Sequence, residues 1–412
     1  MALVLACGHA PPAGPAVAAE PAGAQPVPQD SPQPAARPVP QGISQPRAAE
    51  LTTKIMEAVA RARGLPVTGA VAVEVLSRGD VRDFAERSMY EHHSAAEIKL
   101  FTRIESSLGV LPVGADGERI LLDMLELGVM GIYEPKKKAM LIGTHVSESQ
   151  LDMVVGHEIA HGLQDMHFDL LRLQKPLRGD SDAETARTFL VEGDAQAAYL
   201  AWVSGPQGIA AIPPEVLRTT GDQTLGMSSM MDHPILIRSL QLPYADGAAT
   251  VAELVRSKGW AAVDALYKEL PTTSEQMLHL DKLLAREPAQ PIAAAPEALA
   301  AALPDHALVW QDTLGEASLL CMLADVEPAS GARAAAAGWG GDRLLVFDRK
   351  GQPDAAPVVV GLVAWDSEAD AAEFEGPFRA YLNDKMPGRF VLLRSGARTV
   401  FATEVPPGLV GA

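Results

Sequence analysis

Cysteine is nearly absent: the 412-residue chain has two, Cys7 and Cys321. That count excludes both a disulfide scaffold and a thiolate zinc site. Basic residues are also few. There are 34 Lys and Arg against 52 Asp and Glu, a net charge of −18. A nucleic-acid binder needs a basic face to neutralise phosphates, so no nucleic-acid partner is expected. No apolar run reaches the roughly 18 residues that span a bilayer. The chain also lacks an internal repeat, a phosphate-binding glycine loop and a G-x-S-x-G nucleophile elbow.

The first fifty residues differ from the rest. Residues 8–48 are mostly Pro, Ala, Gly and Gln, with no Lys or Arg before Arg37. Such a segment buries too little apolar surface to offset its chain entropy, which predicts a disordered, semi-stiff tether. Ahead of it stands Met1-Ala-Leu-Val-Leu-Ala-Cys7-Gly8. Residues 1–7 resemble the end of a bacterial lipoprotein signal, truncated before its charged start. The resemblance implies an exported protein anchored to a membrane through an acylated Cys7, at the periplasmic or cell surface. Without a lipobox role for Cys7, the chain stays cytoplasmic.

From Arg47 the pattern is helical, with Leu51, Ile55, Met56 and Val59 at helix spacing. Residues 71–76 alternate like a strand. Residues 80–108 look helical and end near Gly109. Residues 131–142 read as a hairpin around Lys136-Lys137-Lys138, and its second strand, 139–142, is a candidate for pairing with an extended peptide. A long helix then opens at Ser147, with Gln150 three places on as in a capping box. Another helix covers 182–203. A Pro/Ala-rich stretch over 286–303 marks a second boundary. Beyond it, strands near 344–348, 358–364, 390–394 and 399–403 accompany a helix near 368–383. The expected fold class is α+β. A mainly helical domain with a small β-hairpin or sheet spans 49–300, and an α+β region spans 301–412.

One motif carries chemistry. His157-Glu158-Ile159-Ala160-His161 lies inside the predicted helix. Histidines at i and i+4 share one helix face and can converge on one cation. Glu158 lies beside them, close enough to take a proton from an attacking water without ligating the metal. Each fixed residue of the signature therefore has a role in zinc-dependent hydrolysis.

Zinc needs a third protein ligand. His167 has the metzincin spacing, ten residues after His157, but that pattern's helix-ending Gly is Gln164 here. Gln disfavours the left-handed turn, so the helix should run on and carry His167 roughly 15 Å along the axis. Glu192, on the following helix, is the leading candidate. Glu184, two turns earlier, is a lesser one.

Glu192-Gly193-Asp194-Ala195 resembles the third-ligand segment of gluzincins, the thermolysin-like zinc peptidases. In several of these the small residues let two helices approach closely. The likeness extends through His157–Asp169, Tyr244-Ala-Asp-Gly247, Gly259-Trp260, Ser274-Glu275-Gln276 and Gly338-Trp339. Over roughly residues 65–375 the chain is similar to a bacterial family of uncharacterised zinc metallopeptidases, typically exported or lipid-anchored. The resemblance implies a zincin-like catalytic domain with Zn²⁺ on His157, His161 and Glu192, Glu158 as general base, and a peptide or protein substrate. Asp165, His167 and Asp194 are candidates to orient the ligands. Tyr199, Tyr244 and His279 are candidates to stabilise an oxyanion. Two other classes stand beside this reading: a zinc-binding protein without turnover, and a cell-envelope interaction module. The metzincin-like set with His167 is the alternative for the metal. Met227, Met230 and Met231 read as loop or core, and Cys321 as a buried small hydrophobe.

Overall fold

The computed structural model describes residues 43–405. Cys7 and residues 8–42 of the expected tether lie outside the described residues. Helix α1 (Gln45–Arg63) comes first and starts two residues ahead of Arg47, with Pro46 in its first turn, where a missing N–H is harmless. Strand β1 (Ala72–Leu76) and helices α2 (Arg78–His92), α3 (Ala95–Ser107) and α4 (Gly117–Gly128) follow. The helical stretch expected over 80–108 consists of two helices. Ser94 ends the first run by capping the second: its hydroxyl accepts from the Glu97 N–H, and the Glu97 carboxylate accepts from the Ser94 N–H.

Strands β2 (Gly131–Glu134) and β3 (Ala139–Gly143) form the expected hairpin. The three-stranded sheet has the order β1-β3-β2, with β1 parallel and β2 antiparallel to β3. This corrects the expectation for residues 139–142. Strand β3 is central, both its edges are bonded, and it cannot take a peptide as an added strand. The outer edge of β1 is itself met by Gln45, whose amide donates to Val73 O and accepts from Val75 N.

Helix α5 (Glu148–Phe168) carries the motif and opens with the expected Ser147–Gln150 capping box. After α6 (Leu170–Leu173), α7 (Ser181–Val203) begins at Asp180, whose side chain accepts from the Ala183 N–H. Next come α8 (Pro214–Ser228), α9 (Pro234–Leu242), a π-helical turn over Pro243–Gly247, and α10 (Ala248–Lys258). Shorter helices are α11 (Trp260–Leu266), α12 (Ser274–Leu278), α13 (Leu280–Ala285) and α14 (Pro296–Ala302). Met227, Met230 and Met231, at the end of α8, are exposed.

The last hundred residues are β4 (His306–Asp312), α15 (Gly315–Leu323), α16 (Ala329–Ala336), β5 (Trp339–Arg349), β6 (Val358–Trp365), α17 (Glu368–Lys385), β7 (Phe390–Ser395) and β8 (Arg398–Thr403). Their five strands form an antiparallel sheet, order β4-β5-β6-β8-β7. Helix α17 lays Phe374 against Trp365 and Phe378 against Phe401, with Tyr381 stacked on Phe378. The fold is thus mixed α+β, helical toward the N-terminus and sheet-based toward the C-terminus.

One buried apolar cluster crosses residue 300. It joins Phe189 and Leu242 to Leu320, Val363 and Phe378. Polar ties cross it too. Asp312 accepts from the Ser181 N–H and hydroxyl, so β4 is fastened to the start of α7. The Tyr381 hydroxyl donates to Leu108 O at 2.9 Å, and Arg103 pairs with Asp348. Cys321 is buried in this cluster, and burial pushes its thiol up to about 12.

Candidate metal centre

Helices α5 and α7 pack against each other and bring three donors together. His157 Nε2 lies 3.1 Å from Glu192 Oε2 and 3.1 Å from His161 Nε2, and His161 Nε2 lies 3.3 Å from Glu192 Oε2. All three side chains are buried. Hydrogen bonding alone does not explain this triangle. If both ring nitrogens donate to the carboxylate, two N–H groups face each other across 3.1 Å. A tetrahedral ion with bonds of about 2.0–2.1 Å holds its ligands about 3.3 Å apart, which is close to the spacing found. The donor set therefore fits a divalent cation with two imidazoles and one carboxylate.

The electrostatics of the metal-free chain agree. Burial would raise the Glu192 carboxyl, but His161 and His157 outweigh it and hold it well below the usual range. Burial would lower His161, but Glu192 outweighs it and brings the ring up to about 9. A positive charge is favoured at the centre of the site.

Gln164 is a residue of this candidate site that the sequence reading passed over. Its amide nitrogen donates to Val191 O at 3.0 Å and to Asp194 Oδ2 at 3.1 Å. With the nitrogen fixed by two acceptors, Oε1 faces His161 Nδ1 at 2.9 Å and must accept from it. The His161 proton is then on Nδ1, and Nε2 keeps its lone pair for a metal. Asp194 is held in turn by Arg63 Nε at 2.5 Å and by the Tyr267 hydroxyl at 2.8 Å. Arg63 also pairs with Asp264 and lies over the Trp260 ring. The signal for Gln164 was its position, i+3 from His161 and so one turn away on the same face.

Glu158 is fully buried beside the triangle, on the side of β2. The Tyr133 N–H donates to its carboxylate, and Oε2 has no partner among the described residues. Burial raises its pKa, although His161 and His157 pull the other way. Gly131 makes room for it: a Cβ there would lie 2.9 Å from Glu158 Cγ.

Gly193 does not face the motif helix. A Cβ on it would lie 2.4 Å from the Gly247 carbonyl carbon, so it admits the π-helical turn. That turn carries Tyr244, whose ring stacks on His157 at 5.3 Å. Ala195, not Gly193, joins the apolar cluster shared with Val155 and Ile159 of α5.

The other candidates fall elsewhere. The motif helix runs on past Gln164, and His167 Nε2 meets Pro66 O at 2.8 Å. Asp165 accepts from the Tyr133 hydroxyl, Lys138 and the Leu170 N–H, and not from either ligand histidine. Glu184 accepts from the Leu177 N–H. Tyr199 packs beside Gly156 and Trp202. His279 pairs with Glu316.

Comparison with known proteins adds one family. Residues 306–405 match a domain of unknown function, DUF8575. The match covers the five-stranded sheet and its helices, and includes none of His157, Glu158, His161 and Glu192. No curated protein and no solved structure matches the chain.

Proposed function

We propose that this protein is a zinc-dependent peptidase of the gluzincin kind. The observation that carries the reading is the buried triangle of His157, His161 and Glu192, with Glu158 beside it on the motif helix. Bound zinc would supply a Lewis acid that polarises a carbonyl and makes a water acidic near neutral pH. Glu158 then takes the proton of the attacking water and passes it to the leaving amine. Its buried carboxylate, with one oxygen free, suits a base that must accept and release one proton. Gln164 and Asp194 keep His161 in the ligating tautomer. Tyr244, stacked on His157, is the oxyanion candidate closest to the site.

Metal analysis of the purified chain and an unbiased peptide-library digest test this reading. About one zinc per chain is expected, with cleavage lost on chelation and restored by zinc. A chain that takes up no zinc contradicts the proposal. Zinc uptake without cleavage of any peptide favours a zinc-binding protein that lacks turnover.

A further inference from the structure

Glu192 and Tyr244 also line a cavity of about 150 Å³ that extends to α3, α4 and α15. Much of its wall is apolar, including Phe101, Leu108, Phe189, Leu242, Trp310 and Met322. Four carboxylates line it, Glu105, Glu118, Glu192 and Asp312, and among the described residues no Lys, Arg or His does. Three of the four are committed. Glu192 belongs to the metal triangle. Glu118 accepts from the Tyr90 hydroxyl at 2.7 Å. Asp312 accepts from Ser181, the Thr313 N–H and Trp310 Nε1. Glu105 is half-buried, and no described side chain bonds or pairs with it. The nearby Arg103 is committed to Asp348.

A carboxylate that loses water against an apolar wall without gaining a partner is costly. A cation offered by a ligand would recover that cost. Anions are repelled by Glu105, Glu118 and Asp312, and a neutral apolar ligand leaves Glu105 unanswered. Resting on the peptidase reading of the same site, we propose that this cavity is the specificity pocket, that it takes a Lys- or Arg-bearing apolar segment of the substrate peptide, and that Glu105 receives the positive charge. The methylene stem of such a side chain suits the aromatic and aliphatic wall, with the charge at its tip.

The test uses the full-length, zinc-loaded chain carrying Glu158→Gln, so that peptides bind without turnover. Fluorescent Ala/Leu peptides with Lys, norleucine or Glu scanned along them are titrated by anisotropy at about pH 8, above the value of about 7 to which burial raises Glu105. The best Lys peptide should bind about 10- to 100-fold more tightly than its norleucine match, the range of a hydrogen bond to a charged group. The Glu peptide should bind more weakly than either. Adding Glu105→Gln should bring the Lys-to-norleucine ratio close to one and leave the norleucine peptide unchanged. Ser239→Trp, at an exposed position on the cavity rim, should weaken both peptides. Equal binding of the Lys and norleucine peptides overturns the proposal. So does a ratio that survives Glu105→Gln, or binding indifferent to Ser239→Trp. Turnover by the Glu158 chain is read separately. Charge-selective binding without cleavage removes the peptidase reading and leaves the pocket. Cleavage without charge selection does the reverse.

Discussion

Gln164 Nε2 donates to Asp194 Oδ2 at 3.1 Å and, with its bond to Val191 O, ties the helix carrying His157 and His161 to the helix carrying Glu192. These bonds fix the Gln164 amide, and the amide fixes the His161 ring. Gln164→Leu keeps most of the volume and removes all three side-chain bonds, to Val191, Asp194 and His161. Zinc affinity should fall about 10- to 100-fold with little change in helix content. Competition titration with a chromophoric chelator measures it.

Asp194→Ala should act on the fold before it acts on the metal. Arg63 is 1% exposed and would lose its bidentate partner. Asp264 still pairs with Arg63, so the cost is that of losing charge-assisted hydrogen bonds, about 1.5–3 kcal/mol. Chemical denaturation of the metal-free chain should show a loss of that order, and a loss below 1 kcal/mol would contradict the buried-pair account.

Gly193→Ala tests the close approach to Gly247. The new Cβ would meet backbone, which cannot rotate away. Overpacking of this kind costs about 1–3 kcal/mol or more, and the displaced turn should move Tyr244 from His157. A lowered melting midpoint together with weaker zinc binding is expected.

The buried acids away from the metal predict an unusual pH profile. Burial raises Glu275 to about 7, against the hydrogen bond from Lys282, and Asp342 to about 6. A carboxyl raised above its unfolded value stabilises the fold fully below that value, about 4. That contribution is lost as pH rises through the folded value. These two groups should therefore lower stability progressively between about pH 4 and 7, by at most about 1.4 kcal/mol per unit for each group. Glu275→Gln should flatten the fall in melting midpoint between about pH 4 and 7. An unchanged slope would contradict the assignment.

The motif helix, the hairpin and the C-terminal strands were legible because their signals are local: capping residues, alternation and i, i+4 spacing. Glu192 could be singled out because a carboxylate with small neighbours follows at the right remove. Other features depend on residues distant in sequence. Gly193 faces Gly247, and Arg63 meets Asp194 across 131 positions. Strand β3 is interior only because β1, 67 residues earlier, pairs with it. No periodicity reports such contacts. Gln164 was visible in the sequence but was weighed only for the turn it does not make.

The most direct measurement is peptide hydrolysis by the zinc-loaded Glu158→Gln chain, with metal content determined on the same sample. Glutamine preserves the shape and cannot accept the water's proton. The account predicts about one zinc per chain, as in the unmodified protein, with cleavage reduced roughly 10²- to 10⁴-fold. Near-normal cleavage at full zinc occupancy would contradict it and remove Glu158 from the chemistry.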